Sequence, residues 1–195
     1  MKVVSVVGLG VVLLALLAIS APHYPEDWDG VGFVLSITRF DLARFTPHPP
    51  GYPVYVAVLK FASIFGRNLA AATAVSVASG AASILLLRDA AGRIWGARAG
   101  WLAAGGVLLT PLFWRSATVI GSEALALAFV AVAAWGLSRR ASAVVGIAIG
   151  LGLGVRLSWA PFFVPLLLLV ARPNRARAAL FAGVAVLAWL VPLLA

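Results

Sequence analysis

Six acids and two histidines are the only carboxylate and imidazole side chains in the chain, and most of them fall within one stretch. Asp27-Trp28-Asp29-Gly30 sets two carboxylates two residues apart. Such a carboxylate can act as a general base toward an acceptor hydroxyl. The pair could also hold a hard divalent cation (Mg or Mn) together with phosphate oxygens, which makes that cation the candidate cofactor. A simpler reading makes Asp29 the cap of a helix whose apolar residues recur from Val31 to Phe45, with the other carboxylate in solvent. Further on, "TPHPPGYPVY" runs from Thr46 to Tyr55 and braces His48 among four prolines and a glycine. A residue before proline is pushed to extended backbone. Pro50-Gly51 suits a tight turn, and Pro53 suits the first position of a helix. The brace predicts a fixed direction for the imidazole, as a hydrogen-bonded spacer or as a substrate contact.

Three more sites carry charge near the ends of apolar runs. Trp114-Arg115 closes one run, Glu123 opens the next, and Arg156-Leu157-Ser158-Trp159 joins two others. Arginine forms bidentate contacts with phosphate, so Arg115 and Arg156 are candidates for an anionic head group. Their alternative partners are Glu123, Asp41 or lipid phosphate. Cysteine is absent, which excludes disulfides and thiolate chemistry. Two histidines are too few for a zinc site of the usual kind.

The elements that must position these groups are apolar. The chain is 63% hydrophobic and 11% charged, with a mean hydropathy of +1.07. Soluble domains average about 45–50% apolar and about 25% charged, so the composition predicts an integral membrane protein. The net charge of +9 then reads as a topology signal. No basic run interleaves with aromatics, and nucleic acid is not an expected partner. Met1–Ala21 exceeds the apolar core of roughly 7–15 residues found in signal peptides, which predicts a retained first helix.

Apolar runs cover Val3–Ala21, Tyr52–Gly66, Leu69–Leu87, Ala99–Trp114, Glu123–Leu137, Ala141–Val155, Ser158–Ala171 and Ala178–Ala195. Tyr52–Gly66 would be about 22 Å long as a helix, against a hydrocarbon core of about 30 Å. It opens with tyrosines, and Lys60, Ser63 and Arg67 share one face, as on a helix lying in the interface. If that run does not cross, Lys2, Arg88, Arg93, Arg98, Arg139, Arg140, Arg172, Arg175 and Arg177 all fall on the cytoplasmic side, as the positive-inside rule favours. Arg39, Arg44, Lys60, Arg67, Arg115 and Arg156 fall outside, with every acid except Asp89. The expectation is a single all-α domain of seven transmembrane helices. Residues 1–21 form the first span, 22–67 an external loop with juxtamembrane helices, and 68–195 six further spans. Gly146, Gly150 and Gly154 recur every fourth residue and predict a close helix–helix approach. No ionisable residue lies near the middle of a span, which argues against a transporter.

The acidic first loop, then "PHPPGYPVY", "FWRSATVIGSEALAL" and "GLGLGVRLSWAPFFVP", resembles the GT-C superfamily of membrane glycosyltransferases. The likeness is to the branch related to protein O-mannosyltransferases and to a group carrying HPPGYP. The resemblance implies a seven-helix GT-C core module that takes a polyprenyl-phosphate-linked sugar as donor. The acceptor would be modified on the non-cytoplasmic side. "WDGVGF" matches the position of the catalytic base, which selects Asp29, with Asp27 second. His48 stands where many relatives carry a lysine near the donor phosphate, Glu123 where they carry an acid, and Arg156 where they carry a basic residue. Relatives usually continue with more spans and often an external domain, so the resemblance leaves three alternatives: a fragment, a chain that needs a partner subunit supplying that region, or a chain that has lost it and activity with it.

Two function classes follow. The first is an inverting glycosyltransferase with Asp29 as base and with His48, Arg115, Arg156 and Lys60 around the donor phosphate. The second is a non-catalytic lipid-binding or assembly subunit that keeps the core. Convergence of Asp29, His48 and Arg156 on one cleft open to lipid separates the first from the second.

Overall fold

Backbone groups in an apolar medium must be satisfied within their own segment, and a helix does this. The computed structural model describes residues 3–194 and, among them, is helical with no strand. Met1, Ala195 and Lys2, which the charge argument places inside, lie outside the described residues. In chain order the helices are α1 (Val3–Ser20), α2 (Trp28–Thr38), α3 (Pro53–Ser63), α4 (Asn68–Trp95), α5 (Ala97–Leu108), α6 (Pro111–Thr118), α7 (Glu123–Ser138), α8 (Ser142–Val155), α9 (Ala160–Leu169) and α10 (Arg172–Leu194). Short 3₁₀ turns fill Leu42–Arg44 and Leu157–Trp159.

By length and composition α4 and α10 can cross a membrane, and the bent pair α6–α7 counts as a third if taken as one span. Of the other apolar helices α3, α5, α8 and α9 have 10–14 residues, fewer than a straight crossing needs, while α1 has 18. The reason is local. The expected span Ala99–Trp114 is divided at Thr110, whose backbone is extended before Pro111. The indole of Trp114 donates to the Leu108 carbonyl at 2.7 Å and clamps that break. Trp114-Arg115 therefore sits inside α6 rather than closing a span, and α6 meets α7 at 111°. The run expected to stop at Leu87 instead continues to Trp95. Asp89 and Arg93, one turn apart, pair at 2.8 Å and let charge remain on the helix.

α3 is 11 residues, about 16 Å at 1.5 Å per residue, and too short to cross a core of about 30 Å. Its Val54, Tyr55, Val56 and Leu59 are buried, while Lys60 and Phe61, with Ile64 and Phe65 just beyond its end, are exposed. It rests with Phe33, Ala72, Ile120 and Val155 in one core, which ties α2, α4, the α6–α7 connection and α8 under it. A second core packs α1 against α4 and α6 through Leu17, Ile84 and Phe113.

Within lipid the apolar effect no longer drives helices together, and close packing of small residues takes over. α8 meets α10 through Gly146 and Gly150, where a Cβ would run into the Ala178 and Ala182 carbonyls. The glycine spacing is thus a contact face, as expected. At the far end of the bundle Asp89 accepts from the Trp135 indole at 3.0 Å and pairs with Arg139 at 3.3 Å. α4 and α7 therefore run side by side away from the face that carries α2 and α3.

Candidate functional site

α2 begins earlier than the apolar pattern indicated, and this reverses the expected roles of the two aspartates. Asp27, not Asp29, is the N-cap: its Oδ1 accepts from the Gly30 N–H at 2.8 Å. Asp29 lies in the first helical turn with its side chain 62% exposed. The helix ends at Thr38 rather than near Phe45. Asp41 and Thr46 bridge their backbones there, and the Asp41 carboxylate gathers Arg39 at 3.1 Å and Arg44 at 3.5 Å.

The proline stretch folds back over α2. Gly51 N–H donates to the His48 carbonyl at 3.1 Å, closing the expected turn, and Pro53 opens α3. Gly51 has φ +102°, a region that L side chains rarely adopt. Tyr52 follows at φ 49°, also left-handed, which is uncommon for a bulky residue. This strained corner turns the Tyr52 ring back onto the imidazole. His48 Nε2 lies 2.7 Å from the Tyr52 hydroxyl, and Nδ1 lies 3.4 Å from Asp29 Oδ1. Phe33 packs edge-on against Tyr52 and beside His48, fixing both rings from below.

Arg156 reaches the same place from the end of α8. Its Nη1 donates to Ser122 Oγ at 2.7 Å and to Glu123 Oε1 at 2.8 Å. Its guanidinium stands 5.9 Å from the centre of the Tyr52 ring, within cation–π range. Arg115, on α6, faces Asp27 Oδ2 at 3.8 Å. A chain of contacts thus runs from Asp29 through His48, Tyr52 and Arg156 to Glu123, with Asp27 and Arg115 beside it.

Electrostatics follow from this arrangement. Burial raises the Tyr52 phenol above its ordinary value; Arg156 pulls it down, while Asp29 and Glu123 push it further up. Tyr52 therefore keeps its proton. With a protonated phenol, the tautomer that uses both imidazole nitrogens has Nε2 accepting from Tyr52 and Nδ1–H donating to Asp29. Below the ring lies Tyr55, which burial pushes well above the ordinary phenol range, with Glu123 adding to the effect. Neither its hydroxyl nor that of buried Ser76 makes a hydrogen bond of good geometry, but Ser76 and the Gly121 backbone lie near enough to pull the phenol partly back down.

Asp27, Asp29, Phe33, Leu112, Arg115 and Glu123 are among the lining of a cavity of about 120 Å³. Whole-ligand pockets are roughly 300–1,000 Å³, so this cavity admits the reacting end of a ligand only. A larger apolar groove of about 650 Å³ lies between α3 and α10, with Lys60 in its wall. It adjoins a smaller one of about 200 Å³ that reaches Tyr52. The two share Pro53, Trp189 and Leu193, so apolar surface runs from Lys60 to the polar cluster.

Of the residues expected from sequence, Asp27, Asp29, His48, Arg115, Glu123 and Arg156 come together. Lys60 does not; the buried face of α3 turns it toward the groove. Tyr52 and Ser122 were missed. The signal for Tyr52 was its place between a turn glycine and Pro53. A divalent cation between Asp27 and Asp29 does not fit the donor set. One Asp27 oxygen caps α2, the other faces Arg115, and Asp29 faces His48. Among the described residues no group of three or more His, Cys, Asp or Glu side chains could hold a metal ion.

No family model matches this chain, and neither do the curated proteins or the solved structures.

Proposed function

We propose that the chain is an inverting glycosyltransferase of the GT-C kind, spending a polyprenyl-phosphate-linked sugar on an acceptor hydroxyl at the face carrying α2 and α3. That face is read as non-cytoplasmic, with the chain passing through the bilayer seven times. The observation that carries the reading is the line from Asp29 through His48 and Tyr52 to Arg156, with an apolar groove ending at the same tyrosine.

In this reading Asp29 takes the proton of the acceptor hydroxyl. The oxygen attacks C1 of the sugar, the bond from C1 to the phosphate oxygen breaks, and polyprenyl phosphate leaves with the electron pair. Arg156 and Arg115 stabilise the charge that develops on the leaving phosphate; losing one such donor costs about 10² to 10³ in rate. His48, with both ring nitrogens engaged, holds Asp29 rather than the phosphate. Lys60 stands along the groove, where it steers the lipid phosphate on entry.

The test is transfer from a panel of radiolabelled polyprenyl-phosphate sugars by membranes carrying the wild type or Asp29→Asn. The variant is expected at wild-type abundance with transfer lowered about 10²-fold or more. Undiminished transfer in the variant removes Asp29 as the base. A second reading, a non-catalytic lipid-binding subunit, is favoured by one observation: Asp27, Asp29 and Glu123 each already face a basic side chain. Absence of transfer with every donor, alongside retained binding of polyprenyl phosphate, would select it.

A further inference from the structure

The six basic residues expected on the cleft side fall into two groups. Arg39 and Arg44 pair with Asp41, Arg115 with Asp27, and Arg156 with Glu123. Among the described residues Lys60 and Arg67 make no ion pair, and each stands at an apolar groove. The Lys60 groove leads to the polar cluster. The Arg67 groove shares no lining residue with the cavity at Asp29 or with the grooves that reach Tyr52.

We infer that the groove between α1 and α4 is a separate site for an anionic glycerophospholipid, with Arg67 holding its phosphate. The groove encloses about 630 Å³. Leu14 and Ala18 of α1 form one wall, and Ala70 and Ala74 of α4 form the other. Alanines at these positions leave the trough that a lipid chain fills. Thr73 adds no polar demand, because its hydroxyl already donates to the Leu69 carbonyl at 3.1 Å. The α4 lining runs from Arg67 to Ala78, about 17 Å as a helix, close to half of a hydrocarbon core of about 30 Å. One acyl chain of one leaflet matches that depth.

The mouth supplies the complementary charge. Arg67 and His23 sit at the same end of the groove, where α1 finishes and α4 begins. Arg67 is the N-cap of α4 and makes no side-chain capping bond, so the first-turn amides add positive potential there. A guanidinium offers a fork that fits phosphate oxygens. A zwitterionic lipid has the same phosphate but adds a cation that Arg67 repels, so the site discriminates by head group.

The test uses the whole purified chain in detergent, titrated by native mass spectrometry with dioleoyl phosphatidylglycerol or dioleoyl phosphatidylcholine. The wild type should hold the first phosphatidylglycerol at least about fivefold more tightly than phosphatidylcholine, the size of one charge-assisted contact. Arg67→Ala should erase that preference, while Arg115→Ala keeps it. Ala74→Trp, which fills the trough and leaves Arg67 in place, should weaken both lipids. Arg67→Ala binding phosphatidylglycerol like the wild type would overturn the site, moving the lipid to the arginines at the far end. Undecaprenyl phosphate displacing bound phosphatidylglycerol more readily than phosphatidylglycerol itself would overturn the choice of occupant.

Discussion

The Tyr52 hydroxyl meets Nε2 of His48 at 2.7 Å, four residues along the chain and across a turn closed by Gly51. Tyr52 keeps its proton because burial raises its pKa, so in the tautomer that engages both ring nitrogens Nε2 accepts from the phenol. Tyr52→Phe keeps the ring that packs on Phe33 and removes only the hydroxyl. The imidazole then loses the contact that sets its tautomer, and with it part of the roughly 10²- to 10⁴-fold that a positioned general base contributes. On the proposed reading transfer should fall in kcat, by less than Asp29→Asn lowers it, with little change in KM, measured by steady-state kinetics at saturating acceptor. Equal loss in Asp29→Asn and in the double variant would place both residues on one path.

Arg156 and Glu123 are held at 2.8 Å at the cleft, with 26% and 38% of their side chains exposed. Partial exposure screens the pair, so its coupling belongs between surface and buried values, about 1 kcal/mol. Arg156→Ala should destabilise more than Glu123→Gln, because it also strands the Ser122 hydroxyl, which is fully buried in a residue of 0% exposure. A double-mutant cycle on unfolding free energy checks the coupling; additivity within error would show that the pair does not act as a unit.

Much of the helix content was legible because apolar runs in this chain are long and broken by arginine, proline or glycine. The glycine face of α8 could be read directly. What could not be read is which residues end a helix when one residue decides the matter. Asp27 and Asp29 have the same chemistry, and a helix start at Trp28 rather than Val31 exchanges their roles. Thr110 and Pro111 lie inside an apolar run, and the extended backbone of Thr110 together with the bond from the Trp114 indole to the Leu108 carbonyl divides it there. Tyr52 was hidden for another reason: its part depends on a left-handed backbone that no spacing rule announces. Lys60 was visible as a cation on α3, but its direction follows from which face of α3 packs on α4 and α8.

The exchange of roles between the two aspartates gives a stability test independent of chemistry. Asp27→Ala removes the cap on Gly30 and should cost about 1 kcal/mol. Asp29→Ala touches an exposed carboxylate and should change stability by no more than about 0.5 kcal/mol. Thermal unfolding in one detergent orders the two variants, and the reverse order would return the cap to Asp29.

Tyr55 carries a prediction about alkaline pH. Its folded pKa is raised by burial, and Glu123 adds to the shift. In the unfolded chain the phenol ionises near 10. Above that pH the unfolded state gives up its proton while the folded state keeps it. Stability is therefore unaffected by this group below pH 10 and declines as pH rises further. Tyr55→Phe removes the titration and also a buried hydroxyl whose approaches to Ser76 and the Gly121 backbone fall short of good hydrogen-bond geometry. The variant should equal or slightly exceed the wild type at pH 7, and its unfolding midpoint should fall less between pH 9 and pH 11 (about the window set by the free phenol).

The contact of α8 with α10 sets the last expectation. A Cβ at Gly150 meets the Ala182 carbonyl and the Ala185 side chain, and both belong to a helix that cannot yield one atom at a time. Gly150→Ala must therefore push α8 and α10 apart, at about 1–3 kcal/mol. Gly183 lies on α10 with nothing near its missing Cβ. There the same substitution gains helix propensity and should stabilise by roughly 0.5–1 kcal/mol. Because Gly154 of the same face supports Val54 at the start of α3 and the Trp189 indole, a parted α8 also withdraws the floor beneath Tyr52. Gly150→Ala should then lower both the melting temperature and the transfer rate. Gly183→Ala should raise the first and leave the second unchanged. If Gly150→Ala melts with the wild type, the two helices are not held by their glycine face.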